Sequence, residues 1–427
     1  MTKIFLLGIF SAALVACVAT GLPILFALIF GLILFSGYAL EIGYSSRKIF
    51  DMWRDGVRPV KSILLTLVLI GMLTALWRAA GVIPTIIFYT ADFFSPALML
   101  LLTFWLCALV SVLTGTAFGT SATMGVICAA TAESFGVPLW LTGGAILSGA
   151  YFGDRCSPMS TSALLVATLT RTDIFRNLRN MIRTSTIPLI LASVLYLAVG
   201  IFFAGDGAGV NVKEIFARTF AINPTTLIPA VLIVVLSLFR LRVQLMMSAS
   251  ILACIFVAIG VQNLSLGELL KISVTGYFPD DEELAKILSG GGIISMANVV
   301  AIVCLSSCYA GIFHATGFLD GLQKIFQSAG KKFSPFASVL TASILASMVA
   351  CNQTLAIMLT HQLCNKVEPR PEIFALQLEN SAVLVSPLIP WSIACAVILT
   401  VIGAPLSGVL AAFYLWLVPA CYLRSSP

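Results

Sequence analysis

The chain has 427 residues, 59% of them hydrophobic and 10% charged, with a mean hydropathy of +1.06. Soluble domains carry roughly 25% charged residues, so this composition excludes a soluble fold and implies an integral membrane protein. The formal net charge of +6 does not argue for a nucleic-acid partner. Its Lys and Arg residues gather in a few loops between apolar runs, the bias that orients a membrane protein.

In chain order, apolar runs predict helices near 4–19, 22–40, 62–79, 185–204, 225–239, 243–262, 292–309 and 406–422. About 20 such residues cross a hydrocarbon core as a helix, and the short alternating segments of a membrane barrel are absent. The first run imitates a signal peptide, with "LVAC" at 14–17. A second run starts at Leu22, so a retained first helix is expected. Most of the eleven cysteines lie in apolar runs, where a thiol acts as a small hydrophobe, and no disulfide framework is read. Cys304 and Cys308 form a close pair without His or carboxylate partners at zinc spacing, and no zinc site is read there.

The loops give the orientation. Loop 41–62 carries Arg47, Lys48, Arg54, Arg58 and Lys61, and loop 171–184 carries Arg171, Arg176, Arg179 and Arg183; both are expected in the cytoplasm. The stretch 263–290, with Glu268, Asp280, Asp281, Glu282 and Glu283, is expected outside, and Lys324, Lys331 and Lys332 bring the chain back. The reading is a multi-pass protein of the plasma (inner) membrane with both termini cytoplasmic.

Stretches 97–170 and 336–402 are series of apolar pieces interrupted by polar clusters: "GTAFGTS" and "GDRCSP" in the first, "ACNQT" and "SPLIPWS" in the second. In each, one broken unit can be a re-entrant hairpin and the other an interrupted crossing, and the sequence does not decide which. With them the chain has about 10–12 membrane segments.

A weak internal repeat ties these stretches together. "WRAAG" at 77–81 aligns with "FHATG" at 313–317, "SATMGVI" at 121–127 with "NQTLAIM" at 352–358, and "CSPMS" at 156–160 with "VSPLI" at 385–389. Order and spacing are kept, and the first copy follows a basic loop while the second follows an acidic one, so the copies run oppositely through the membrane. The fold class expected is an all-α polytopic membrane protein with two inverted-topology repeats, re-entrant hairpins and broken helices. Its parts are 1–61 (N-terminal helices and loop), 62–184 (repeat 1), 185–290 (scaffold helices and external loop), 291–404 (repeat 2) and 405–427 (C-terminal helix). Secondary transporters use this design to alternate access to a midplane site, and irregular backbone at that depth survives only inside protein or along a wet cavity.

The polar breaks supply the candidate ligands. In the first, Asp154 is costly at membrane depth unless it has a partner or a task; Ser157, Ser160, Thr161 and Ser162 can add oxygen ligands, and Arg155 can either neutralise Asp154 or leave it free. Thr120, Ser121 and Thr123 face the comparison with Asn352, Gln353 and Thr354, which can bind a solute or hold helices together. Glu379, Asn380 and Ser386 are the polar candidates of the last break. Arg78 and His314 occupy equivalent repeat positions: a guanidinium can hold a substrate carboxylate and an imidazole can carry a proton, or either can cap a half-helix.

At these residues the chain resembles the NhaC-type sodium/proton antiporter family. "GAYFGDRCSPMS" at 149–160 is similar to a family signature close to G-A-Y-F-G-D-K-x-S-P-L-S-D-T-T, and "ALWRAAGVIPTIIFY" at 75–89 and "LENSAVLVSPLIPWS" at 378–392 resemble further family segments. The resemblance covers about 62–404 and implies the ion-transporter superfamily fold and secondary cation (Na+)/proton antiport. It implies no cofactor beyond Na+ or H+ as coupling ion, and a sodium position near Asp154, Thr161 and Asn380. Thr161 and Asn380 stand where the family commonly has acids, and Ser392 where it has Asn. The alternative reading is a proton- or sodium-coupled exchanger of a small carboxylate or amino acid, anchored by Arg78. The partners expected are an ion or small molecule and the lipid bilayer, with no nucleic acid; the apolar faces of 185–204 and 243–262 suit either lipid or a second copy in a homodimer. No paired-His motif, nucleophile elbow or phosphate loop suggests an enzyme.

Overall fold

The computed structural model describes residues 2–20, 22–90, 95–203, 212–239, 241–281, 284–285, 288–318, 334–350 and 352–425. Among these the chain is helical, apart from turns and one isolated bridge between Tyr277 and Gly290. A lipid environment offers no water to unpaired backbone, so the apolar runs close their hydrogen bonds within helices. Lys324, Lys331, Lys332, Glu282 and Glu283 lie outside the described residues.

The first helices are α1 Thr2–Thr20, α2 Ile24–Glu41 and α3 Ser46–Val57. The basic stretch 41–62 is thus largely a helix, started by Ser45, whose hydroxyl accepts the Lys48 N–H, with Ile49 and Met52 buried on one side. Then follow α4 Lys61–Ala79, α5 Val82–Thr90, α6 Met99–Thr114, α7 Ala117–Thr120, α8 Val126–Ser134, α9 Leu139–Arg155 and α10 Thr161–Thr170. A π-turn, Ser121–Gly125, joins α7 to α8. Next come α11 Ile174–Phe203, α12 Val212–Thr219, α13 Ile228–Leu238, α14 Val243–Gly260 and α15 Leu266–Thr275. The chain ends with α16 Ala297–Thr316, α17 Pro335–Ala350, α18 Gln353–Cys364, α19 Pro371–Glu379, α20 Ala382–Val385, α21 Ile393–Val401 and α22 Phe413–Ser425.

Three boundaries differ from the sequence reading by a turn or more, one of them the end of α16, which runs on from the expected 309 to Thr316. Helix α11 starts at Ile174 rather than near 185, because Asp173 accepts the Arg176 N–H and starts the helix ahead of the apolar run. The last helix begins at Phe413, after a 3-10 segment Leu406–Ala411. Among the described residues six helices are long and apolar enough to cross a membrane, or up to seven with the pair Pro371–Leu388 and Ile393–Val401, bent by 52°. The other apolar pieces, such as Thr161–Thr170 and Pro335–Ala350, fall short of a full crossing each. The chain is therefore an all-α, multi-pass membrane protein with broken helices.

Packing places the breaks at the centre. Helix α9 runs along α6, and the approach is set by Gly149 and Gly153: a Cβ on either would strike the α6 backbone or Ser111. The Ser111 hydroxyl then donates to the Ala150 carbonyl at 2.5 Å. A Gly153→Ala substitution forces α9 away from α6 immediately before Asp154. Overpacking of this kind costs about 1–3 kcal/mol, so the unfolding midpoint of the detergent-purified protein should fall measurably; an unchanged midpoint would show that the helices can separate without loss. At the other side, Phe10 of α1, Phe35 of α2 and Tyr309 and Phe313 of α16 form an aromatic cluster, with Phe35 and Phe313 centroids 4.5 Å apart.

Candidate functional site in the helix breaks

Helix α9 ends at Arg155, and Pro158, whose missing N–H cannot continue it, lies in the break before the next helix. Ser160 then caps α10, its oxygen accepting the N–H groups of Ser162 and Ala163. The same hydroxyl donates to Asp154 Oδ1 at 3.2 Å, and the Ser162 hydroxyl donates to Oδ2 at 3.0 Å. The cap of one half-helix thus holds the carboxylate at the end of the other. Thr161, lying between these serines, is exposed, and Ser157 is buried with its oxygen accepting the Met159 N–H.

Asp154 and Arg155 do not pair with one another. Neighbours on a helix point about 100° apart, and the guanidinium of Arg155, wholly buried, runs the other way. Its Nη1 donates to the Ser185 hydroxyl and to Tyr414 Oη at 3.0 Å; its Nη2 donates to Thr184 Oγ1 at 3.2 Å and to Asn380 Oδ1. Ser185 and Tyr414 also bond each other at 2.8 Å. Four elements meet at one cation: α9, α11, α22 and the residue that ends α19. In α11, Pro188 has no N–H for the Thr184 carbonyl.

Asn380 ends α19, and Glu379 precedes it. Glu379 is fully buried, neither carboxyl oxygen has a hydrogen-bond partner, and the charged groups around it are Arg155 and Asp154. The Asn380 Nδ2 and Arg155 Nε are likewise buried without partners. With all three groups ionised the cluster holds one cation and two anions. An uncompensated charge in such a place is costly, and a single proton or monovalent cation restores neutrality. Beyond it, Ser386 and Ser392 bond each other at 3.1 Å, and Ser392 caps α21. Tyr151 Oη donates to the Ala394 carbonyl at 2.8 Å, fixing α9 against that half-helix.

A cavity of about 580 Å³ opens beside the breaks. Its wall includes Thr116, Thr161, Arg242, Asn352, Gln353 and Thr354, which brings residues of both polar stretches to one space; Arg242 is the single charged residue lining it among the described residues. Asn352 caps α18 by accepting the Thr354 N–H at 2.9 Å, and Gln353 Nε2 donates to the Val383 carbonyl at 2.9 Å. Asn352 and Thr354 also border a second cavity of about 490 Å³ that holds Asp55 and His314.

The remaining candidates are elsewhere. Thr120, Ser121 and Thr123 are buried, and their hydroxyls donate to carbonyls of their own helix. Arg78 is buried, donates to the Thr74 carbonyl at 2.9 Å and is not among the residues lining the large cavity; His314 is exposed. Sequence reasoning passed over Thr184, Ser185 and Tyr414 and read Arg155 only as a possible partner of Asp154. A Lys at the position of Arg155 in the similar family signature was the available signal that a positive charge is needed there.

Comparison with known proteins identifies the family. The sequence profile described as the Na+/H+ antiporter family matches residues 1–173 and 149–424. The Malate-2H(+)/Na(+)-lactate antiporter of Bacillus subtilis (strain 168) is 30% identical over 405 residues, 91% of this chain and 86% of that one. The Na(+)/H(+) antiporter NhaC of the same organism is 29% identical over 92% of this chain and 89% of its own length. The arginine/ornithine antiporter ArcD of Halobacterium salinarum (strain ATCC 700922 / JCM 11081 / NRC-1) is 25% identical over 95% of this chain and 87% of its own length. With a family match over nearly its whole length, and with paired helix breaks around buried carboxylates, the chain belongs to the Na+/H+ antiporter family, as a membrane transporter and not an enzyme.

Proposed function

We propose that the chain exchanges a cation for protons by alternating access between two inverted repeats, 62–184 and 291–404, with Asp154 and Glu379 as the coupling carboxyls. The observation that carries the reading is the buried group of one guanidinium and two carboxyls, of which Glu379 has no hydrogen-bond partner. Binding one positive charge at a time is what an exchanger of cations against protons requires. The caps support the repeat: Thr116 and Asn352 start half-helices after the first break of each copy, and Ser160 and Ser392 do so after the second. These pairs would make Thr116, rather than Ser121, the counterpart of Asn352. The orientation, with both termini cytoplasmic, rests on the basic stretches 41–62 and 171–184. Proteoliposomes loaded with a pH dye test the reading: a sodium gradient should drive counter-movement of protons, and its failure in active protein would reject sodium/proton exchange.

One observation favours a second reading, exchange of a small carboxylate or amino acid. The 580 Å³ cavity exceeds what a bare ion fills, and its charged lining residue is Arg242, whose planar fork suits a carboxylate. In this reading Arg242 takes the place first assigned to Arg78. Relatives named for malate and lactate, and for arginine and ornithine, are compatible with it. Arg242→Gln should then raise the apparent KM for a dicarboxylate or amino-acid substrate about tenfold or more, the loss expected for a charge-assisted hydrogen bond. The same variant should leave sodium-driven proton movement intact. An unchanged KM would remove Arg242 from substrate binding.

A further inference from the structure

The two helices that hold the partners of Arg155 also meet at a second place. Thr184 and Ser185 lie on α11, and Glu379 and Asn380 close α19; eight residues earlier on each, Arg176 and Glu372 form an ion pair at 2.9 Å. Eight residues of helix span about 12 Å, so this bridge lies toward the membrane surface from the site, near the start of α11 and of α19. Around it is a cavity of about 470 Å³ lined by Arg176, Arg179, Arg183 and Arg370 together with Glu372. Arg176 is matched by Glu372, and Arg370 by Glu368 at 2.8 Å, a contact that holds the Glu368 carboxyl below the usual carboxylate range. Among the described residues no acid lies within ion-pair distance of Arg179 or Arg183. Two guanidinium groups thus face one cavity uncompensated.

The face on which they stand says what belongs there. Arg176, Arg179 and Arg183 share one side of α11, and the same side continues through Ile187, Ile190 and Val194 at helical spacing. Those three are 65%, 57% and 57% exposed. A soluble anion would use the arginines alone; a phospholipid would use both, its phosphate on the guanidinium forks and an acyl chain along the lipid-facing isoleucines that continue the same side of this membrane-crossing helix. We propose that the cavity between α11 and α19 is a binding site for the headgroup of an anionic phospholipid. Its occupancy ties together, through Arg176–Glu372 and the added phosphate, the two helices that position Arg155, Glu379 and Asn380.

The test uses the full chain, purified in a neutral detergent. Dioctanoyl phosphatidylglycerol and dioctanoyl phosphatidylcholine have the same tails, and inorganic phosphate has the anion without a tail; binding of each is followed by native mass spectrometry and by the shift in unfolding midpoint. The wild-type protein should bind phosphatidylglycerol and be stabilised by it, with little response to phosphatidylcholine or phosphate. In the double variant Arg179→Gln/Arg183→Gln the affinity should fall on the order of thirtyfold, the effect of two cationic contacts at a membrane surface. Arg179→Lys/Arg183→Lys, which keeps the charge and loses the fork, should fall between. As a control, Arg47→Gln/Lys48→Gln removes two cations from α3 and should bind as the wild type does. Wild-type affinity in the Gln variant would overturn the proposal, as would equal loss in the α3 control, or phosphate stabilising the protein as well as the lipid does.

Discussion

Asp154→Asn should reduce cation-driven proton exchange in proteoliposomes to the rate of protein-free vesicles while leaving yield and unfolding midpoint close to wild type. The substitution is nearly isosteric. The amide oxygen can still accept from Ser160 or Ser162, and either hydroxyl can rotate to accept from the amide nitrogen. The local fold has therefore no reason to change. The charge count does change: in this variant only Glu379 remains opposite Arg155, and the cluster is neutral before any cation or proton enters it. An exchanger whose site is already neutral has lost the requirement that linked one ion to the other. Uncoupled leak of either ion is compatible with this account. Full coupled exchange in the variant would refute it and move the coupling elsewhere. Glu379→Gln provides the companion experiment, since its oxygens have no partners to lose.

Much of this arrangement was legible from the residues alone, because polar breaks in apolar runs are conspicuous. "GDRCSPMS" and "ENSAVLVSPLIPWS" announced the helix breaks beside Asp154, Glu379 and Asn380. The convergence of Thr161 with Asn352, Gln353 and Thr354 on one cavity follows the same logic. Contacts across long chain separations were not legible. Tyr414 is 259 positions from Arg155 and sits in an apolar helix whose other residues give no hint of a polar contact. Ser185 is only 30 positions away, but the arginine-rich stretch before it reads as a loop when charge is taken as the sign of water. The helix was announced there by Asp173 at its start, a weaker signal than four arginines. Arg78 shows the converse limit: its depth in the membrane was clear, but not that its Nη1 would donate to the Thr74 carbonyl one turn before it while its Nε stays buried without a partner.

The other large effect concerns stability. Arg155→Met fits the same volume approximately and removes the guanidinium donors that reach Asn380 and Thr184, while Thr184 keeps its weak bond to Asn380 Oδ1 at 3.5 Å and Ser185 and Tyr414 keep their mutual bond. What remains is a pair of buried carboxyls with no cation between them. Taking one member from a buried ionic group costs about 3–5 kcal/mol, so the variant should unfold far earlier than the wild type in detergent. Loss of hydrogen bonds and loss of charge balance both contribute, and a double-mutant cycle separates them. If charge balance dominates, Arg155→Met/Glu379→Gln should recover a large part of the lost stability, because the second change removes one of the unmatched carboxyls. If the hydrogen bonds dominate, the double variant should be no more stable than Arg155→Met alone. Arg155→Lys distinguishes the same cases from the other side: its ammonium keeps the charge, but its three donors cannot serve four separate acceptors. Near wild-type stability in the Lys variant, together with recovery in the double variant, would establish the cation as the counter-charge to Glu379; failure of both would make Arg155 a cross-brace whose charge is incidental.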